Sequence, residues 1–381
     1  MRIGVDARGL MGGGMSGVEQ YIKQLLFHLA KLDQSNEYIL FYNSLKDLSA
    51  NIPDFGSNFS RVGFRIPNKI LDPVWRFFGI PRLERFLGKI DLFFLPNIRV
   101  VPPPRGFPLV VTFHDLSFEK FPGFFSWDRR LWHWHLGPRR QARLATKIIA
   151  DSWSTKSDLI KLYKVDPQKI EVVYLGVDEG RKTIDLKKNQ ARICRKYNLP
   201  ETGFILHLGT IEPRKNLKNL IMAYKKITGE VCWPLVIAGA WGWLYKDLLG
   251  LVKKEDLEQR VFFTGFIEEA DKDCLYGLAK LFVYPSFYEG FGLPILEAMK
   301  RGVPVITSMV SSLPEVTADA ALIIDPFDVD ELAEAMKLVF LDDNLRDKLI
   351  RKGFARAENF SWRKTAQETL RIFNEVVHGG K

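Results

Sequence analysis

Apolar runs of strand length recur through both halves of the chain, each separated from the next by helical or turn-forming sequence. That alternation restricts the fold more than any other feature. RIGVDA, YILFY, DLFFL, LVVTF, KIIAD and EVVYL punctuate the first half; FILHLG, PLVIAG, VFFTG, LFVYPS, PVITS and ALIID punctuate the second. Runs such as LVVTF and PLVIAG are apolar without alternation, which suits strands covered on both faces. The pattern predicts doubly wound parallel sheets, and its occurrence in both halves predicts two α/β domains. A chain of 381 residues can hold both, since single cores stop growing near ~250–300 residues.

The helices have readable ends. Apolar residues recur at Val18, Tyr21, Ile22, Leu25, Leu26 and Leu29, with Ser16 and Glu19 spaced as a capping box at the start. A helix is expected at Ser152–Tyr163, another over NLKNLIMAYKKI, and a last one from Trp362 to Val377 with Ala366, Leu370, Phe373 and Val377 on one side. The turn LGVDEG, ahead of a Lys-rich stretch, marks the junction. The expected division is 1–178 and 179–360, both Rossmann-like, with 361–381 as a closing helix returning to the first domain.

No segment reaches the ~18–20 uninterrupted apolar residues of a membrane span, and MRIGV opens no signal peptide. Cys194, Cys232 and Cys274 are far apart and form no CxxC, so reduced thiols and a cytoplasmic setting are expected. The net charge of +10 is unevenly placed: residues 1–175 carry 25 Lys and Arg against 16 Asp and Glu, the remainder 30 against 29. Residues 61–90 hold seven basic and two acidic residues among Trp75, Phe77, Phe78 and Phe86; Arg129–Lys147 is basic again, beside Trp127, Trp132 and Trp134. Basic residues mixed with aromatics suit an anionic membrane surface, reached peripherally; a solvated rim around core helices is the alternative. No nucleic-acid recognition motif accompanies the charge, so nucleic acid is not an expected partner.

Ligands of open α/β sheets bind at the carboxyl ends of the strands, and four stretches put distinctive residues there. The loop Gly12–Gly17 brings glycines to a helix N-terminus, where backbone N–H groups approach phosphate. It matches GxGxxG, but Arg8–Met11 separate it from the strand and YILFYN ends on Asn43 rather than an acid, which argues against a dinucleotide oxidoreductase. LVVTFHDL places His114 and Asp115 at a strand end. HLGTIEPRKNLKNLI delivers Arg214 and Lys215 to a helix mouth, an anion site suited to a diphosphate. YPSFYEGFGLPILEAMKRGVPVIT carries Glu289 in a loop, Pro294 in the first turn of a helix, and Glu297 one turn in. Asp271-Lys272-Asp273 and Asp328-Val329-Asp330 match the DxD pattern of metal-using transferases, but each precedes a helical stretch where Asp is an ordinary N-cap.

GTIEPRKN, the E-x7-E pair Glu289 and Glu297, and GVPVIT resemble family 4 glycosyltransferases, a retaining group with the GT-B fold. SGVEQYIKQLL, KIEVVYLGVD and FSWRKTAQETL extend the resemblance end to end. The pattern is most like bacterial mannosyltransferases of surface polysaccharide assembly. It implies two Rossmann-like domains facing each other across a cleft, the first on the acceptor side and the second binding a nucleotide sugar. It implies that Arg214 and Lys215 bind the donor diphosphate, Glu289 sugar hydroxyls and Glu297 the ribose. Amides of Phe291, Gly292 and Leu293 would face sugar or phosphate oxygens, Gly17 would let its loop approach the phosphate, His114 would contact the sugar, and Gly265 and Phe266 would line the base pocket. No metal or cofactor is expected. GDP-mannose and a lipid-linked or glycan acceptor are the first expectation; a UDP-sugar-dependent glucosyl-, galactosyl- or GlcNAc-transferase, or a GT-B sugar-nucleotide epimerase, are the alternatives.

Overall fold

The computed structural model describes residues 1–12, 16–44, 51–178 and 186–379. Seven strands build the first sheet: β1 (Arg2–Asp6), β2 (Glu37–Asn43), β3 (Phe59–Phe64), β4 (Leu92–Leu95), β5 (Leu109–Phe113), β6 (Lys147–Ala150) and β7 (Ile170–Val172). Six build the second: β8 (Phe204–Leu208), β9 (Leu235–Ala238), β10 (Val261–Gly265), β11 (Ala279–Tyr284), β12 (Val305–Ser308) and β13 (Leu322–Ile324). The orders are β3-β2-β1-β4-β5-β6-β7 and β10-β9-β8-β11-β12-β13. Every pairing is parallel. Both sheets therefore reverse winding at their centre, between β1 and β4 and between β8 and β11. Those are the points where a doubly wound fold opens a crevice for ligands.

The apolar runs are the central strands. Every residue of β4, β5, β8, β9 and β12 is buried, as helices on both faces require. β3 carries no such run: FSRVGF is an edge strand with three exposed residues, and only its pairing with β2 identifies it.

Contacts group Met1–Leu116, Trp127–Gly176 and Ser361–Lys381 into one unit, and Ser117–Ser126 with Val177–Phe360 into another. In the first, the helix Gly17–Leu32 starts at Ser16, whose side chain accepts from Glu19 N; among the described residues the reciprocal half of the expected capping box is not made. Residues 13–15 of the glycine loop lie outside the described residues. The last helix, Trp362–His378, packs Phe373 against Phe94 of β4. Its buried stripe is Trp362, Thr365, Ala366, Thr369, Ile372 and Phe373, rotated from the expected one, with Leu370 and Val377 only half-buried. The threonines can be buried because their hydroxyls are satisfied: Thr365 Oγ1 donates to Tyr174 O at 2.8 Å and Thr369 Oγ1 to Thr365 O at 2.8 Å.

The aromatics of 61–90 divide. Trp75 is buried, with Nε1 donating to Pro81 O, and Phe86 packs on Phe64, whereas Phe77 and Phe78 are exposed. Among the described residues no helix is long and apolar enough to cross a membrane.

Candidate functional site

In the second unit, β8 leads through a short helical turn, Pro213–Lys215, into the helix Leu217–Ile227. Asn216 turns the chain with φ 58°, a left-handed conformation that asparagine tolerates. Its Nδ2 donates to Pro285 O at 3.0 Å and Pro326 O at 2.6 Å, tying the loop after β8 to those after β11 and β13. This staple holds Arg214 and Lys215 at the winding reversal.

Glu289 meets both cations there. Lys215 Nζ donates to Glu289 Oε1 at 2.6 Å and to the Tyr284 hydroxyl at 2.5 Å. Arg214 Nη1 donates to Glu289 Oε2 at 2.7 Å and to Tyr288 O at 2.9 Å, while its Nε and Nη2 hold Glu212 Oε1. Glu212, Lys215 and Glu289 are each buried. Burial pushes the Glu289 carboxyl up, but Arg214 and Lys215 outweigh it and hold the group at about 2. Burial pulls the Lys215 ammonium below its usual range, with Glu289 opposing. The loop is fixed from the other side, where Ser311 Oγ accepts from Glu289 N and Ser312 Oγ donates to Glu289 O and Phe291 O.

The helix Leu293–Lys300 follows, capped by Gly292 at φ 110°. A Cβ there would be strained by that φ and would also meet Leu313 at 3.0 Å. Phe291, Gly292 and Leu293 stand at this N-terminus, where first-turn N–H groups have no intrahelical acceptor. Glu297 is buried and accepts from the Tyr276 hydroxyl at 2.9 Å. The two glutamates of the spaced pair thus have separate partners. Gly265 ends β10, two strands from β8, and Phe266 is exposed beside it. Trp241, half-exposed and packed on Tyr245 and Phe263, joins that carboxyl edge.

In the first unit, His114 follows β5. Its Nδ1 lies 2.7 Å from Asp151 Oδ2 and its Nε2 3.0 Å from Pro96 O. Both partners are acceptors, so the ring that satisfies them carries two protons. Burial pulls the imidazole pKa down, but Asp151 outweighs it and the pKa is raised. A sugar contact through either ring nitrogen would replace one of these bonds. Gly17 opens its helix, and a Cβ there would meet open space.

Three features carried no signal in the sequence. Arg8, buried at the end of β1, donates to Asp6 and to Val100 O, reaches Asp72 at 3.4 Å, and lies over the Phe41 and Trp75 rings. His207 is fully buried in β8, stacked on Tyr284, with Nδ1 donating to Val283 O and Nε2 unpartnered among the described residues. Ser117–Ser126 belongs to the second unit although its neighbours in sequence do not. Phe121 packs on Tyr288, Phe124 on Phe287 and Phe125 on Trp243, whose Nε1 donates to Phe124 O at 2.6 Å.

The DxD stretches have structural partners. Asp328 caps its helix, accepting from Asp330 N and Glu331 N. Asp271 is not an N-cap: it lies inside the helix Glu269–Leu278 and binds Arg192, Lys196 and Tyr197.

Residues 189–356 match the family model "Glycosyl transferases group 1", and residues 15–181 match "Glycosyltransferase Family 4". The chain is 31% identical over 373 residues to an O-antigen chain mannosyltransferase B of Escherichia coli, covering 94% of this chain and 96% of that protein. The chain belongs to glycosyltransferase family 4. A serotype-specific mannosyltransferase WbdA of Escherichia coli is 33% identical over 71% of this family 4 chain, which spans only 34% of that longer protein. Among solved structures, sucrose-phosphate synthase from Thermosynechococcus elongatus superposes with a TM-score of 0.77 at 21% identity over the whole of both chains. Anabaena HepE in complex with UDP and glucose superposes with a TM-score of 0.73 at 18% identity, covering 98% of this chain and 100% of that one. These likenesses establish the GT-B fold of this family 4 glycosyltransferase.

Proposed function

We propose that this glycosyltransferase moves mannose from GDP-mannose onto a lipid-linked or glycan acceptor in cell-surface polysaccharide synthesis, with retention of anomeric configuration and without a metal ion. The reading is carried by the Arg214–Lys215–Glu289 cluster at the β8/β11 winding reversal, beside a relative named as an O-antigen mannosyltransferase.

In this reading the donor diphosphate lies against Arg214, Lys215 and the N-terminus of the helix Leu293–Lys300. Cleaving the anomeric bond builds negative charge on the diphosphate, and groups already in place stabilise it without reorganising. Two cations and a helix N-terminus supply that stabilisation in place of a metal. Glu289 holds the cations and meets donor hydroxyls, Glu297 meets the ribose, and Gly265 and Phe266 flank the base. Gly17 brings its loop to the phosphate, and His114 contacts the sugar. A UDP-sugar is the second donor choice, because HepE, of the same fold, was solved with UDP and glucose.

Purified enzyme is incubated with GDP-mannose, UDP-glucose, UDP-galactose or UDP-GlcNAc and a mannan acceptor, with and without EDTA. The expected result is transfer from GDP-mannose alone, undiminished by EDTA, with the product anomer matching the donor by NMR. Transfer only from a UDP-sugar, an inverted product, or loss of activity in EDTA each overturns the corresponding part of the reading.

A further inference from the structure

Two helices of the first unit expose apolar stripes where a helix normally exposes polar residues. On Asn68–Phe77, Leu71 and Trp75 face the core, while Ile70 and Phe77, one heptad apart, are 58% and 69% exposed with Val74 between them. Phe78 and Ile80, just beyond, are 74% and 57% exposed. On Trp127–Leu136 only Leu136 is buried. Trp127, Leu131 and Trp134 recur at helical spacing and are 74%, 48% and 63% exposed, with Trp132 exposed as well. Solvated surface helices carry the opposite pattern.

Arg76 joins the two stripes. Its Nη1 donates to Trp134 O and His135 O, and its guanidinium lies 4.6 Å from the Trp134 ring centroid and 6.0 Å from that of Phe77. Segments about sixty residues apart thus meet at one cation. Val74, Ile80, Pro81, Arg82, Glu84 and Arg85 line a groove beside it. Lys69, Arg82, Arg85, Lys89 and Arg130 are exposed and make no ion pair among the described residues. With aromatic side chains of about 150–250 Å² each, the exposed Phe and Trp surface alone is roughly 500–800 Å², at the upper end of or beyond the largest patch of a typical monomer, about 300–600 Å².

We propose that this face docks on an anionic lipid bilayer. The basic surround decides the occupant: uncharged glycan would leave five unpaired cations unused, whereas anionic headgroups match them. Ile70, Ile80 and Leu131 offer no flat ring for stacking a sugar but suit acyl chains. Trp and Phe between cations are the side chains that settle at a headgroup boundary. Attachment is peripheral and salt-sensitive, each cation contributing about fivefold in partitioning. Adsorption does not depend on which sugar is transferred, so binding and transferase activity are measured separately.

The test is cosedimentation of the full chain with phosphatidylcholine vesicles, with and without phosphatidylglycerol, at low and high salt. Wild type is expected to pellet with anionic vesicles only and to be released by salt. The variant Arg82→Glu/Arg85→Glu/Lys89→Glu should lose roughly a hundredfold or more in partitioning, and Phe77→Ser/Phe78→Ser/Trp127→Ser should lose binding while keeping its melting temperature. Both should keep turnover on a water-soluble acceptor. Equal recovery of wild type in the supernatant with both vesicle types, or protection of the tryptophans from acrylamide by mannan but not by anionic vesicles, overturns the proposal.

Discussion

Lys215 Nζ and Glu289 Oε1 are 2.6 Å apart, and both side chains are more than nine-tenths buried. With Arg214 and Glu212 completing the group, two cations and two carboxylates occupy one pocket. The pocket is therefore held in shape before any ligand arrives.

Breaking this pair should cost stability as well as activity. Lys215→Met leaves Glu289 with Arg214 alone, so it should destabilise, though by less than the roughly 3–5 kcal/mol of a buried charge left with no partner. Glu289→Gln should also destabilise, but the double variant should be more stable than the sum of the singles by ~1 kcal/mol or more, because each single removes a charge that partly offsets the burial of the other. Urea denaturation of the three proteins measures this; strict additivity would mean the contact carries no coupling. Arg214→Ala, assayed on protein shown to be folded, should lose roughly 10²-fold in turnover, the scale of removing one charge-stabilising group.

Glu289 should not form a covalent glycosyl-enzyme. Both oxygens are held by cations and the carboxyl is pulled down to about 2, leaving a weakly nucleophilic oxygen. Intact-protein mass spectrometry during turnover should show no hexose adduct, and Glu289→Gln should slow the reaction without trapping one. An adduct mapped to Glu289 refutes this.

Acid should destabilise the protein below pH 6.5, in two stages. Burial, reinforced by Lys215, pulls His207 down to about 3, so the unfolded chain takes up a proton that the folded one refuses. The stability that neutral His207 allows is intact above pH 6.5 and falls by about 1.4 kcal/mol per pH unit below it. Glu289, at about 2 when folded against 4.5 unfolded, adds its loss as pH falls below 4.5. His207→Gln should lessen the slope by about 1.4 kcal/mol per pH unit from pH 6.5 down to about 3, leaving in place the contribution of Glu289 and that of His133, which burial holds at about 4. Equal slopes in both proteins between pH 4.5 and 6.5 would exclude His207 as the cause.

The parts legible in the sequence are those whose physics is local. Buried parallel strands such as LVVTF and FILHLG are apolar throughout, and Ser152 and Asp328 cap helices where their side chains reach N–H groups two or three residues on. What stayed hidden depends on distant partners. Asp271 looks like a cap until Arg192, Lys196 and Tyr197 arrive from another helix. Thr365 is outside the apolar stripe read from the sequence, and it is buried where the Tyr174 carbonyl accepts its hydroxyl. Arg214, Lys215 and Glu289 could each be singled out by their strand ends, but their pairing required the sheet order that makes β8 and β11 neighbours.

The segment Ser117–Ser126 should be pinned by its aromatics. Trp243→Phe keeps a ring against Phe125 but removes the donor to Phe124 O. Hydrogen exchange of residues 117–126 should quicken by about fivefold or more, matching a hydrogen bond worth ~1 kcal/mol. Unchanged protection would assign the anchoring to ring packing alone.

His114 should titrate above the ordinary histidine range, and Asp151 should be the reason. The ring stands between a carboxylate and a carbonyl, both acceptors, so losing a proton leaves two lone pairs facing each other. Because the folded pKa is raised, the imidazolium stabilises the fold fully below pH 6.5, and that contribution is lost as pH rises through the folded value. Asp151→Asn keeps an oxygen for Nδ1–H but removes the charge that offsets burial, so the midpoint should fall. Histidine NMR titration can follow this, with the resonance assigned by its absence in His114→Gln, since the chain has only six histidines. If His114 contacts the donor sugar as a cation, wild-type turnover should decline across the same interval in which its resonance moves, and in Asp151→Asn that decline should begin at lower pH. A midpoint unchanged by Asp151→Asn would mean the carboxylate does not hold the proton, and a pH–rate profile that ignores the shift would remove the charged ring from the reaction.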